Sequence, residues 1–177
     1  AYRCLYEHWQ QRGFHCADAV LRECETPSVP DDALRDAVTA FMGGTLFAGM
    51  TCSALTAGVM ALGLALGEIE NSHARVARMI ATMAMGGDAF ADKVNAFNRT
   101  MNLGHELTEW FGAEFGSTQC RALTGCDFAS SADVGAYIDH NGTADCARRA
   151  RRVAEHVSDV IEHASTASHL DDQGRTS

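Results

Sequence analysis

The chain has 177 residues, with 23 acidic against 14 basic side chains and a formal net charge of −9. That balance argues against a nucleic-acid binder, which needs a basic stripe to meet phosphate. The length gives one domain with enough core to fold without staples. Two prolines, abundant alanine and few β-branched runs predict an all-α fold. We expect a single-domain helical bundle of about five to seven helices around a glycine/alanine-rich central helix. The domain should occupy residues 1–164 and a disordered polar tail residues 165–177.

In chain order, the segment from Tyr2 to Glu25 reads as helix interrupted near Gly13, with Leu5, Trp9, Phe14, Ala17, Val20 and Leu21 as apolar contacts. The stretch TPSVP ends it, because prolines and the residues before them resist helix. Asp31 or Asp32 caps a helix to Met42, stopped by Gly43 and Gly44. After the loop TLFAGM the central helix begins at Thr51 or Cys52 and runs to Gly67. Its length and glycine content fit a buried helix and no membrane span. Ala54, Gly58, Ala61 and Ala65 should line one side, with Gly63 and Gly67 thinning another for close packing.

Asn71 or Ser72 caps the next helix, to about Met85, and Gly86-Gly87 breaks it. Asp88 restarts helix, carried by Phe90, Val94, Phe97, Met101, His105 and Leu107 to Phe115. The methionines Met79, Met83, Met85 and Met101 are expected as core filler. Residues 116–142 read as irregular, with a short helix after Cys120 and a turn-rich connection from Asp127 to His140. A last helix from about Thr143 to Ala164 buries Ala147, Ala150, Val153, Ala154, Val157, Val160 and Ile161.

Seven cysteines carry the chemistry. No Cys-x-x-Cys pair and no haem-attachment motif is present, so the cysteines must meet in three dimensions or not at all. Cys16, Cys52, Cys120 and Cys146 each follow a glycine by three or four residues (Gly13, Gly49, Gly116 and Gly142), and each is expected to open a helix. The partial positive charge and free N–H groups of a helix start favour thiolate over thiol. Convergence of the four would make a preorganised thiolate site. Cys4 and Cys24 lack that context and read as bystanders, with Cys126 as a candidate fifth thiol. His15, beside Cys16, is a further candidate ligand, although a histidine at a helix end is more often simply exposed. His105 with Glu106 and Glu109 could form a metal-binding face, but no repeated Glu-x-x-His pattern supports a di-iron bundle. The run from Arg148 to Arg152 could present cations to an anionic partner or cofactor edge. Such a run is more often a solvated helix face.

With these residues in hand, the chain resembles the redox-active family named for its cysteine pattern, C_GCAxxG_C_C. GFHCADAVL resembles its first cysteine segment and GGTLFAGMTCSALTAGVMALGLALG its second. FGSTQCRALTGCD resembles the third, and DCARRARRVAEHV the fourth. The family's Cys-Gly-Ala-x-x-Gly stretch stands here as Cys52-Ser53-Ala54-Leu55-Thr56-Ala57, a small residue replacing each glycine. The resemblance marks Cys16, Cys52, Cys120 and Cys146 as the characteristic four, and implies a helical redox protein related to a domain of split-Soret cytochrome c, whose cysteines are associated with an iron–sulfur centre.

Three chemistries follow for the four thiols. An iron–sulfur cluster, [2Fe–2S] or [4Fe–4S], would serve electron transfer or redox sensing. Without a cofactor, thiol–disulfide exchange would begin at Cys16 or Cys52. A structural Cys4 zinc site is the third. The chain is thus expected as an oxidoreductase or an electron carrier with a redox partner protein, and a homodimer is compatible with the same features. A cysteine-rich chain with its own core suits a reducing, cytoplasmic compartment. The N-terminus AYRCLYEHWQ lacks the apolar centre of a secretory signal, and a processed or exported form is compatible with a chain that does not begin with Met.

Overall fold

The computed structural model describes Glu7 and residues 14–24, 32–67, 73–87 and 96–174. Eight α-helices occur among the described residues, with no sheet. They are α1 (Cys16–Glu23), α2 (Asp32–Val38), α3 (Ser53–Leu66), α4 (His73–Ala84), α5 (Ala96–Phe115), α6 (Cys120–Thr124), α7 (Ser131–Asp139) and α8 (Gly142–Gly174). A 3-10 turn, Thr39–Phe41, follows α2. Apart from Glu7, which is helical, the expected first half of the N-terminal helix, with Cys4, lies outside the described residues, as does the restart at Asp88.

The main core is built by α1, α3, α5 and α8. Its centre is the small-residue face of α3. Ala54, Leu55, Ala57, Ala61 and Leu62 are buried against Val20 of α1, Leu107 and Phe111 of α5, and Val153 and Val157 of α8. Gly58 is what lets these helices approach. A Cβ there would stand 3.1 Å from both Leu107 Cδ2 and Val153 Cγ1, tighter than ordinary packing. Gly63 was expected to thin a packed side in the same way, but a Cβ on it would meet nothing within 4 Å. It lies on the exposed face of α3.

Three further expectations are corrected. The segment from Asp127 to His140 is not merely turns, because α7 occupies most of it. Ser130 caps that helix, its Oγ accepting from the Asp133 N–H at 3.2 Å and donating to Asp133 Oδ1 at 2.9 Å, a local exchange that satisfies a helix-start donor. Second, α8 continues ten residues past the expected end at Ala164, into the segment expected as tail. No proline or glycine interrupts the chain between Gly142 and Gly174. Third, three of the four methionines expected as core filler are exposed, and Met79 is half-buried. Met83, Met85 and Met101 are 47%, 81% and 48% exposed, and Val76 and Ile80 of α4 are exposed with them. Among the described residues α4 has no extensive packing partner, so its apolar stripe stays on the surface.

The loop after the 3-10 turn has a conformation that the sequence did not foretell. Gly43, Gly44, Thr45, Leu46 and Phe47 all have positive φ, between +49° and +69°. Three of them carry side chains, and a left-handed residue with a Cβ costs roughly 1–2 kcal/mol. Backbone bonds hold the turn, including Phe47 N–H to Met42 O at 2.9 Å and Gly49 N–H to Gly43 O at 3.0 Å. Phe47 packs edge-on to Phe128, with ring centroids 5.9 Å apart.

Candidate functional site

That loop delivers Cys52. An isolated antiparallel bridge joins Thr51 to Gln119, with Cys52 N–H donating to Thr118 O at 2.8 Å, Cys120 N–H to Met50 O at 2.6 Å and Arg121 N–H to Gly49 O at 2.9 Å. The start of α3 and the start of α6 are thereby pinned together, 68 residues apart in sequence. Gly44 allows the approach, since a Cβ on it would come within 2.7 Å of Cys120 Cβ. Cys120, Cys126 and Cys146 belong to a second, smaller core with Phe128, Val134 and Tyr137. Cys52 belongs to the main core, and the partly buried Cys16 and Phe14 pack against both. The four thiols therefore gather at the seam between two cores.

Each pairing among the four sulfurs is close enough for one charge to act on another. Cys16 feels Cys146, Cys52 and Cys120; Cys120 feels Cys52 and Cys146; and Cys52 feels Cys146. All six described cysteines are free thiols. No group of three or more His, Cys, Asp or Glu among the described residues is arranged to hold a metal ion. The sulfurs are neighbours and do not form a closed single-ion cage.

The helix-start argument finds the right cysteines but not the right cause of their ionisation. Cys16 and Cys120 are the first residues of α1 and α6, Cys52 caps α3, and Cys146 lies a full turn inside α8. Burial pushes Cys120 and Cys52 up, although the Ala54 and Leu55 N–H groups pull Cys52 back in part. Cys16 is raised by its hydrogen bond to Cys146 and then by burial. Cys146 alone is lowered, first by the hydrogen bond from Cys16, with further help from Tyr137 and Arg149. A helix end contributes up to about 1 kcal/mol at an ordinary site, whereas burial can move a pKa by several units, so direct partners decide. Between these two thiols the proton is therefore favoured on Cys16 and the charge on Cys146.

Tyr137 and Arg149 were not expected here. The Tyr137 hydroxyl lies 3.4 Å from Cys146 Sγ, and its ring lies so close to the first turn of α8 that a Cβ on Gly142 would stand 2.3 Å from Tyr137 Cε2. Arg149 Nη1 donates to Cys146 Sγ at 3.8 Å and Nη2 to Leu123 O at 3.3 Å, with the guanidinium 5.7 Å from the centre of the Phe115 ring. Its Nε is buried without a hydrogen-bond partner. Its charge favours the thiolate at Cys146, Cys52 and Cys120. The shared glycine spacing has no single cause: Gly49 and Gly116 adopt positive φ, while Gly142 makes room for Tyr137.

The other candidates stand elsewhere. His15 caps α1, its Nδ1 accepting from Ala17 N–H at 3.2 Å and Asp18 N–H at 3.3 Å, with Nε2 3.5 Å from Thr39 O. Both ring nitrogens therefore have backbone partners. Cys126 acts on Cys120 only after Cys52 and Cys146, and is itself raised to about 11 by burial and by Asp133 and Asp127. His105 pairs with Glu109 at 3.5 Å on the exposed surface. The arginine run divides: Arg148 pairs with Asp145, Arg152 with Glu114, and Arg149 turns inward.

The family model described as "Putative redox-active protein (C_GCAxxG_C_C)" matches residues 14–160. The chain belongs to this family. No curated protein and no solved structure matches it. The C_GCAxxG_C_C span includes all four converging cysteines together with Tyr137 and Arg149, and leaves out Cys4 and the last turns of α8. No described helix is long and apolar enough to cross a membrane.

Proposed function

We propose that this C_GCAxxG_C_C protein carries electrons, or senses redox state, through an iron–sulfur cluster held by Cys16, Cys52, Cys120 and Cys146. The observation that carries this reading is the mutual proximity of the four sulfurs, every pair within reach of the other's charge. The surroundings suit a group with negative charge: the charge of Arg149 acts on Cys146, Cys52 and Cys120 and its buried Nε–H has no partner, while Tyr137 places a hydroxyl beside Cys146 as well. When bound, such a cluster supplies one-electron chemistry at a potential set by charge, hydrogen bonds to sulfur and solvent exposure. The chain's own part is to hold four thiolates, exclude water with the α3 core and balance charge with Arg149.

Anaerobically prepared protein should contain iron and acid-labile sulfide and absorb in the visible. Cys52→Ser should lose that absorption, and Cys24→Ser should keep it. Unchanged absorption in Cys52→Ser, or wild-type protein without iron and sulfide, would sink the proposal.

One observation favours a second reading, thiol–disulfide exchange. Interaction between the two thiols raises Cys16 and lowers Cys146, which favours the charge on Cys146. That thiolate would attack a substrate disulfide to form a mixed disulfide, and Cys16 would resolve it, leaving a Cys16–Cys146 disulfide and the substrate reduced by two electrons. A mass loss of two hydrogens confined to that pair, reversed by reductant and without bound iron, would favour this chemistry. Zinc gains no such support. Four thiolates about 2.3 Å from one ion would stand roughly 3.8 Å apart, and no three described ligands are arranged around a single ion.

A further inference from the structure

The run of four arginines from Arg148 to Arg152 is not a uniform surface. Arg148 is paired with Asp145, and Arg152 with Glu114 at 3.2 Å while also lying over Trp110. Arg151 is exposed. Arg149, between them, has no carboxylate partner within salt-bridge distance among the described residues. It is held by the Cys146 sulfur, the Leu123 carbonyl and the Phe115 ring. A guanidinium fixed by one bond to a carbonyl and by a ring face cannot swing away without losing both, and its planar fork makes it hard to replace with an ammonium. Three of the four site sulfurs feel its charge.

We propose that Arg149 is a positioning residue that raises the reduction potential of the thiol site by keeping an uncompensated positive charge against the Cys146 sulfur. The proposal rests on the redox reading above and has the same sign in both of its chemical forms. A cluster that gains one electron gains one negative charge, which a fixed cation stabilises. A Cys16–Cys146 disulfide reduced by two molecules of glutathione yields the Cys16 thiol, the Cys146 thiolate, one proton and glutathione disulfide. The new thiolate is then the group that Arg149 touches. In either case removal of the cation makes the oxidised form easier to keep.

The test uses the full chain with Arg149→Met, Arg149→Lys and, as a control in the same run, Arg148→Met. The potential of cluster-loaded protein is read from its visible absorption against mediator dyes. That of the metal-free dithiol is read by mass in glutathione buffers. Arg149→Met should shift the balance toward the oxidised form by tenfold or more, which for one electron is 59 mV. Arg149→Lys should recover part of that shift, and Arg148→Met should match wild type. If Arg149→Met binds less cluster while the loaded fraction keeps the wild-type potential, the residue is structural and the proposal is overturned. An unshifted glutathione equilibrium overturns it equally for the metal-free pair. Wild-type protein lacking iron and sulfide would reject the cluster, and the glutathione measurement would then decide the role of Arg149 by itself.

Discussion

Two buried cysteines, one in each core, ionise in opposite ways. In the main core Cys24 is 2% exposed and lies 3.7 Å from the Ala154 carbonyl, to which its thiol donates. Burial raises it to about 11, so it stays a thiol and behaves as a small hydrophobe. In the small core Cys146 is 5% exposed, hardly less buried, yet its proton is the one released. The difference comes from neighbours: a second thiol, a phenol and a guanidinium converge on Cys146. Burial makes a cysteine inert unless the fold also aims donors and positive charge at it. The large core spends its aliphatic area on stability, while the small one spends buried polar contacts on a site.

The comparison is most directly broken at Gly142, where the small core is tightest. Gly142→Ala would put a Cβ 2.3–2.4 Å from two carbons of the Tyr137 ring. The buried ring must shift, at a cost of about 1–3 kcal/mol by the usual scale of overpacking, and it should leave Cys146. Gly135→Ala, in α7, meets nothing within 4 Å and should gain up to about 1 kcal/mol of helix propensity. Urea unfolding of the two variants should give opposite signs. Equal effects would mean that Tyr137 is not wedged against α8.

The inert thiol of the main core gives the next test, through pH. An unfolded Cys24 ionises near 9 and the folded one at about 11, so between those values the unfolded chain releases a proton that the folded chain keeps. Stability due to Cys24 is therefore full below pH 9 and is lost as pH rises through that window. In reduced, metal-free protein, wild type should be more stable than Cys24→Ala near neutral pH. The gap should shrink by on the order of 1–2 kcal/mol by about pH 11, allowing for solvent screening. A gap that stays constant across the window would show that Cys24 is not held as a thiol.

Much of the main core was legible because its rule is periodicity. The stripe of Ala150, Val153, Ala154 and Val157 and the small residues of α3 repeat at helical spacing, and their burial follows. The four cysteines were legible through their glycine context, although the glycines act for different reasons and helix ends do not set the thiol charges. What stayed hidden depends on contacts distant in sequence. The bridge between Thr51 and Gln119 leaves no periodic mark. Tyr137 could have been found only by first seeing α7, whose signals were the Ser130 cap and the three-residue spacing of Val134 and Tyr137. Arg149 stands three residues after Cys146, on the same helix face, and that register could have singled it out within an otherwise solvated run.

The smallest expected effect separates the two regions by the sign of a glycine substitution. Leu46 is 66% exposed at φ +49°, in the left-handed turn that leads to Cys52, so its side chain gives up little packing while its backbone carries strain. Leu46→Gly should relieve about 1–2 kcal/mol of that strain and lose about 0.5–1 kcal/mol to the greater freedom of the unfolded chain, a net gain of roughly 0.5–1 kcal/mol. On the exposed face of α3 the opposite change is favourable: Gly63→Ala meets no atom within 4 Å and should gain up to about 1 kcal/mol from right-handed helix propensity. The sites share no partner, so the double variant should add the two gains in urea unfolding. A destabilised Leu46→Gly beside a stabilised Gly63→Ala would mean that the turn ahead of Cys52 is not left-handed in solution, and the small core would then need another way to bring Cys52 beside Cys120.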